Sequence, residues 1–376
     1  MSISISSFFS KLDLRMRPRA WVRIFLAGLF SMIAFVALVN FIIDPYQQYR
    51  MATLYDVYYS QSRARYLNAG LAKSQNYRSV IIGTSHTANF RLREVQEKIY
   101  FRQPVKLIIP LATAYEVNIT LATIFEHRNV EAVLYGLDTS VFNTTMEVGF
   151  MRRPNTFPMY LYENGIYSHI RYLARASTFL DSVSAVRRSM QNRDDILFSY
   201  DRMYEWQHEK EKDFGETKVL ARLKPRGRSR RPRPILGIQE FMDSFDSNVL
   251  PHLRLHPNTD FIIFYPPYSI LKYKQMHNAG ILEKHLELKK HIYTVTKDLG
   301  NVKLYDFQVA QEITHDLDNY KDLTHYHQRI NSWMLEQIAA GQYRVNEATV
   351  GKYNAELISQ AENYNLSPGV SDPGPR

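Results

Sequence analysis

The sequence predicts an α/β domain built on a parallel sheet of about five strands, covered by helices and carried on one N-terminal transmembrane helix. Three observations predict it. Short apolar runs rich in Val, Ile and Leu recur at residues 79–83, 105–110, 131–137, 260–265 and 302–307, with helical patterns between them. Strands buried on both faces read as such near-continuous apolar runs, and parallel neighbours need helical crossovers. The chain has 376 residues, 45% of them hydrophobic, enough to bury a sizeable core. Finally, residues 24–43 form a 20-residue apolar run whose only strongly polar member is Asn40.

That run spans about 30 Å at roughly 1.5 Å per residue, the thickness of a bilayer core. Lys11, Arg15, Arg17, Arg19 and Arg23 precede it, against the single acid Asp13. The positive-inside rule then places residues 1–23 in the cytoplasm and the chain after Asp44 outside. The run is longer than a usual signal-peptide core and no small-x-small site follows it. The reading is an uncleaved signal anchor, with residues 24–43 in a bacterial inner membrane and a periplasmic C-terminal domain. Zero cysteines exclude disulfides, thiolate metal sites and cysteine nucleophiles. The formal charge of +10 points to anionic surroundings, but an outward-facing domain does not meet nucleic acid.

Asp44-Pro45 closes the apolar helix, and residues 44–77 form a polar, Tyr-rich lead-in with Arg63, Arg65 and Lys73 at roughly helical spacing. The main domain is expected over residues 78–340. Its first half alternates strand 79–83, helix 91–100, strand 105–110, helix 114–127 and strand 131–137. The alternation stops at about residue 142. Residues 142–234 read as a largely helical insertion, with a helix over 168–189. It ends in a run at 222–234 with seven basic residues, three prolines and no acid, the composition of a mobile loop or of a surface for anionic partners. The pattern resumes with helix 239–253, strand 260–265 stopped by Pro266-Pro267, helix 281–299, strand 302–307 and helix 326–340. Residues 341–376 read as a tail, disordered from about residue 366.

Two short motifs about 240 residues apart carry the chemistry. Gly83-Thr84-Ser85-His86 follows the first strand. In open α/β sheets, ligands bind beyond the carboxyl ends of the strands. Ser85 stands at such an end, and a helix starting near Thr87 would turn free N–H groups toward it. Read alone, the motif also fits an N-cap serine. Asp322-Leu323-Thr324-His325 follows the fifth strand. A serine hydroxyl needs a base in hydrogen-bond reach, and a carboxylate can fix the tautomer of that base. Read alone, this motif also fits a polar surface loop. His86 is a candidate for lining the site or simply for starting the helix. Tyr265 and Tyr268, after strand four, could stack on sugar rings or pack. His315, Asp316, Asp318, Asp322, His325 and His327 lack the spacing of a metal site, so neither metal nor cofactor is expected.

Together the motifs resemble the SGNH/GDSL hydrolase superfamily, whose first block is matched by Gly83-Thr84-Ser85 and whose last is matched by Asp322-x-x-His325. The resemblance implies a flavodoxin-like three-layer sandwich with Ser85 as nucleophile, His325 as base and Asp322 as its orienting acid. It implies backbone oxyanion donors at Ser85 and, after strand two, at Ala112. The superfamily's Asn after strand three is replaced by Asp138, with Asn143 five residues on. An anchor followed by Asp44-Pro45-Tyr46 and this body is similar in layout to the alginate O-acetylation proteins and the teichoic acid D-alanyl transfer protein. The layout implies an esterase or O-acyltransferase working on acyl esters, acetyl first among them, of an envelope glycan, beside a membrane-bound O-acyltransferase. The departures after strands two and three keep a second expectation open, an inactive domain that binds glycan or scaffolds a synthesis complex.

Overall fold

A computed structural model describes residues 18–143, 157–191, 195–206, 213–223 and 237–365. The Arg-rich run beyond residue 223 and the tail from residue 366 lie outside the described residues. Five strands, Ser79–Gly83 (β1), Pro104–Ile108 (β2), Ala132–Gly136 (β3), Asp260–Tyr265 (β4) and Val302–Asp306 (β5), form one sheet in the order β2-β1-β3-β4-β5. Every pair is parallel, as the apolar runs predicted. All residues of β1 and β2 are buried.

Two groups of helices supply that cover. Leu92–Ile99 packs with Gln328–Ala339, and Ala64–Ser74, Ala114–His127, Ile238–Asn248 and Leu282–Thr296 pack in series. The helix expected over 239–253 is broken at Val249 into Ile238–Asn248 and Leu250–Leu255. Pro251 explains the break, because it has no N–H to continue the ladder. Residues placed in a tail by the sequence form the helix Glu347–Asn363, which buries Leu357 and Ala361 against Tyr268, Tyr273 and Leu282. The sequence missed it because its apolar positions are sparse.

Lys106, in the middle of β2, is fully buried. Its ammonium donates to the Ala88 carbonyl at 2.6 Å and the Met203 carbonyl at 2.7 Å. It therefore ties the loop after β1 to the segment that carries Trp206. Burial pushes its pKa down to about 7, against the pull of Glu205 and Asp201.

The helix Pro18–Ile43 is long and apolar enough to cross a membrane. It ends on a helical hairpin, Ile166–Leu173 and Ala176–Gln191, where the sequence suggested a single helix. Asn40 is fully buried there. Its amide donates to the carbonyls of Leu173 (2.7 Å) and Arg175 (3.3 Å), and its oxygen accepts from the Ser182 hydroxyl at 3.0 Å. Asp44 then reverses the chain at a left-handed φ of 49°. Its carboxylate accepts from the N–H groups of Gln48 (2.9 Å), Tyr49 (2.8 Å) and Arg50 (3.2 Å) and from the Tyr172 hydroxyl (2.8 Å). Burial raises its pKa, opposed by those bonds. Asp44→Ala should strand four donors and destabilise the protein by about 3 kcal/mol, while Asp44→Asn should lose roughly half as much. Thermal unfolding of the full-length protein in micelles measures both.

Candidate active site

The site begins at two glycines. Gly83 and Gly136 are register partners at the carboxyl ends of β1 and β3. A Cβ on Gly136 would lie 2.1 Å from the Thr87 methyl and 2.9 Å from the Phe264 ring. A Cβ on Gly83, whose φ is 141°, would lie 2.8 Å from the Gly136 carbonyl. Without either Cβ, Thr87 sits directly on the strand ends, and its hydroxyl donates to the Thr84 carbonyl at 2.8 Å. The chain therefore turns into a single 3-10 turn, Ser85–Thr87, rather than a longer helix. The Ser85 N–H has no partner among the described residues. The Ser85 carbonyl accepts from Trp206 Nε1 at 2.9 Å.

The second motif lies on a tight loop beyond β5. Tyr320 and Tyr326 bridge its ends, and the Lys321 N–H donates to the His325 carbonyl at 3.0 Å. Ser269, after β4, donates from N–H (3.1 Å) and hydroxyl (2.9 Å) to the Leu323 carbonyl. The buried Tyr326 hydroxyl donates to the His86 carbonyl at 2.9 Å. These bonds fix the loop to both neighbours of the site.

Within the loop, Asp322 Oδ1 accepts from the N–H groups of Thr324 (2.9 Å) and His325 (2.8 Å). Its Oδ2 lies 2.8 Å from His325 Nδ1. Burial would raise the pKa of Asp322, but the hydrogen bonds and charge of His325 outweigh it and hold the carboxyl well below the usual range. An ionised Asp322 only accepts, so Nδ1 carries the proton and Nε2 is free to accept. Nε2 stands 2.9 Å from Ser85 Oγ. The structure thus brings Ser85, His325 and Asp322 into one hydrogen-bonded line. Trp206 meets the His325 ring edge-on at 5.5 Å.

His86 lies flat against His325, with centroids 4.9 Å apart. Its Nδ1 is 3.3 Å from Asp138 Oδ2 and 3.1 Å from Thr84 Oγ1. Burial pushes the His86 pKa down. For Asp138, burial raises the pKa, but hydrogen bonds from His86 and Ser140 pull it well below normal. A neutral His86 therefore donates to an ionised Asp138. The pair keeps the negative charge of Asp138, whose carboxylate oxygens face His86 and the Ser140 N–H.

Ser85, His86, Asp138, Asn143, Tyr268 and His325 all line one cavity of about 570 Å³. Two expectations are corrected. Tyr265 is 1% exposed, lies outside the cavity wall and packs its ring under the Lys289 ammonium, because its place on β4 turns it into the core. Ala112 lines the cavity, but its N–H is spent on the Ile109 carbonyl at 3.1 Å, closing the turn after β2. Sequence reasoning missed Trp206, Gly136, Thr87 and His285. For Trp206 the one signal was rarity, since the chain has three tryptophans.

His285 also lines the cavity, and it is buried. Its Nδ1 is 2.7 Å from Thr139 Oγ1 and its Nε2 is 2.8 Å from Gln308 Oε1. Burial, helped by the Lys289 charge, pushes its pKa down to about 4, and burial does the same for His252. Below the ordinary histidine pKa the unfolded chain binds protons that the folded protein refuses. Stability should therefore be complete above about pH 6.5 and fall as pH drops toward 4, by up to about 3 kcal/mol for each histidine. Urea unfolding across this range should show the slope, and His285→Gln should flatten it. In the same assay Gly136→Ala should cost about 1–3 kcal/mol by overlap with the Thr87 methyl. Adding Thr87→Ser, which removes that methyl, should restore part of the loss.

The sequence matches no protein-family model and no curated protein.

Proposed function

We propose that the chain is a serine esterase or O-acyltransferase of the SGNH type. It acts on acyl esters of an envelope or exported glycan, on the outer side of a bacterial cytoplasmic membrane. The observation that carries this reading is the Ser85–His325–Asp322 line, with contacts of 2.9 Å and 2.8 Å, joining residues 240 apart. Its setting adds support. The strand order is that of flavodoxin-like sheets, which bind ligands beyond the carboxyl ends at the point where the order reverses. The apolar helix Pro18–Ile43 supports the anchor, and the basic residues before it support the orientation.

In this mechanism Ser85 Oγ bonds to the acyl carbon while His325 Nε2 takes the hydroxyl proton. The ester C–O bond breaks, and the same proton passes from Nε2 to the departing oxygen. Asp322 holds Nδ1–H and stabilises the imidazolium in between. Water or a second hydroxyl then attacks the acyl-Ser85 bond, giving its proton to Nε2 and from there to Ser85 Oγ. Water makes the protein an esterase, and a sugar hydroxyl makes it a transferase. The Ser85 N–H, unpartnered among the described residues, is the first oxyanion donor. In the resemblance on which this reading draws, a membrane-bound O-acyltransferase is the partner.

One observation favours a second reading, a non-catalytic glycan-binding or scaffolding domain. The other expected oxyanion donor, the Ala112 N–H, is already engaged. Full-length protein in lipid nanodiscs, offered chromogenic esters and an acetylated glycan, separates the two. The enzyme reading expects Ser85→Ala and His325→Ala each to reduce kcat/KM by at least about a thousandfold. It also expects a fluorophosphonate to label Ser85 stoichiometrically. Turnover indifferent to Ser85→Ala sinks the serine mechanism. Absent labelling, with glycan binding intact in both variants, supports the scaffold.

A further inference from the structure

We propose that the cavity beside Ser85 is an acyl-chain pocket, shaped for a medium-length alkyl chain rather than for acetyl. The inference rests on the serine-ester reading and extends it to the substrate. At about 570 Å³ the cavity falls in the range that encloses drug-sized ligands. An acetyl group, with a single methyl beyond the carbonyl, leaves most of it unfilled.

Most of the wall surface is apolar, although Asp138, Thr139, Ser140, Asn143 and His285 also line it. Ile238 and Phe241 stand one turn apart on the helix Ile238–Asn248. Met276 comes from the helix Ile270–Asn278, Leu288 from Leu282–Thr296, Ile281 from the turn between them, and Leu111 from the turn after β2. Lys272 and Lys284 add long apolar stems. Flat sugars favour paired aromatic platforms, and this wall offers one partly exposed ring, Phe241. Tyr268 is only 6% exposed and packs on His86 with centroids 5.1 Å apart.

Two residues of the lining break the rules of a surface that meets only water. Leu111 is 75% exposed and holds a left-handed φ of 53°, a conformation that disfavours side chains with a Cβ. Ile281 is 49% exposed. Neither exposure helps folding. Strain and exposed aliphatic groups on the lining of a cavity are features expected of a binding site. With the acyl chain held in the pocket, the ester carbonyl lies at Ser85 and the alcohol part stays outside.

The test compares p-nitrophenyl acetate, butyrate and octanoate with the full-length protein in nanodiscs, as wild type, Met276→Trp and Ile281→Glu. A buried methylene favours binding about fourfold. Octanoate should therefore exceed acetate in kcat/KM by at least about tenfold, with incomplete burial allowed for. Met276→Trp should cut the octanoate-to-acetate ratio at least fivefold, and Ile281→Glu should lower it too while melting like wild type. A preference for acetate, or a ratio unmoved in both variants, overturns the pocket and leaves the serine mechanism standing. If no ester is turned over, the serine reading fails and displacement of a fluorescent apolar probe by decanoate decides for the pocket. Saturable displacement from Ser85→Ala that is lost in Ser85→Ala/Met276→Trp supports it, and no displacement overturns it.

Discussion

Where Ser85 stands depends on one close approach, the Thr87 side chain resting on a pair of glycines. Parallel register makes Gly83 and Gly136 neighbours at the ends of β1 and β3, so both Cβ positions are missing from the same spot. The chain after β1 can then turn at once, and Ser85 is held two residues beyond the strand. This is also where the sheet order reverses, with β2 on one side of β1 and β3 on the other. Loops leaving β1 and β3 diverge there and leave a crevice, which Ser85 and Asp138 enter from its two walls. Every later contact of the site is referred to this seat. Trp206 holds the Ser85 carbonyl, Tyr326 holds the His86 carbonyl, and Lys106 holds the Ala88 carbonyl. Three donors from distant parts of the chain therefore grip successive stretches of one short loop.

The electrostatics follow from that geometry. Two histidine–carboxylate pairs lie side by side, His325 with Asp322 and His86 with Asp138. Their rings stack at 4.9 Å, so two imidazolium ions there would repel strongly in a partly dry site. Burial resolves the conflict by keeping His86 neutral. His325 is then the one histidine of the stack available to carry the transient positive charge that general-base chemistry needs. The two carboxylates, both held ionised, favour that charge. His86 thus acts as a neutral wall that orients Asp138, and its position next to Ser85 in sequence is what puts it there.

Burial was the legible part of this fold, and partnership was not. Runs such as residues 79–83 and 260–265 announce strands because two-sided burial demands continuous apolar side chains. The order of those strands along the chain then predicts Ser85 and the Asp322/His325 loop beyond carboxyl ends. Local pattern does not say where a backbone N–H points. Ala112 stood at the expected position, but its N–H closes a turn onto Ile109. Nor does it separate Tyr265 from Tyr268, three residues apart, when only one emerges from the strand. Gly136 looked like any strand glycine because the group it accommodates, Thr87, belongs to another loop. Nothing local marks Lys106 as buried, since its two carbonyl partners are 18 and 97 residues away.

The N-terminal apolar helix supplies the last constraint. A side-chain amide within an apolar helix is expensive in lipid unless something satisfies it. For Asn40 that partner is the hairpin, through Leu173, Arg175 and Ser182. Phe35 meets Phe179 at 6.2 Å, so protein covers one side of the helix over its last turns. At 26 residues the helix is about 39 Å long, some 9 Å more than a bilayer core. The surplus equals the six residues 18–23 that precede the apolar run, which include Arg19 and Arg23. The Asp44 carboxylate then gathers the N–H groups of Gln48, Tyr49 and Arg50, and the Arg50 side chain reaches back to the carbonyls of Phe41 and Ile42. The join is therefore a hydrogen-bonded splice, without the free rotation of a Gly/Ser linker. In the anchored reading, a splice of this kind fixes the height and tilt of the sheet above the bilayer.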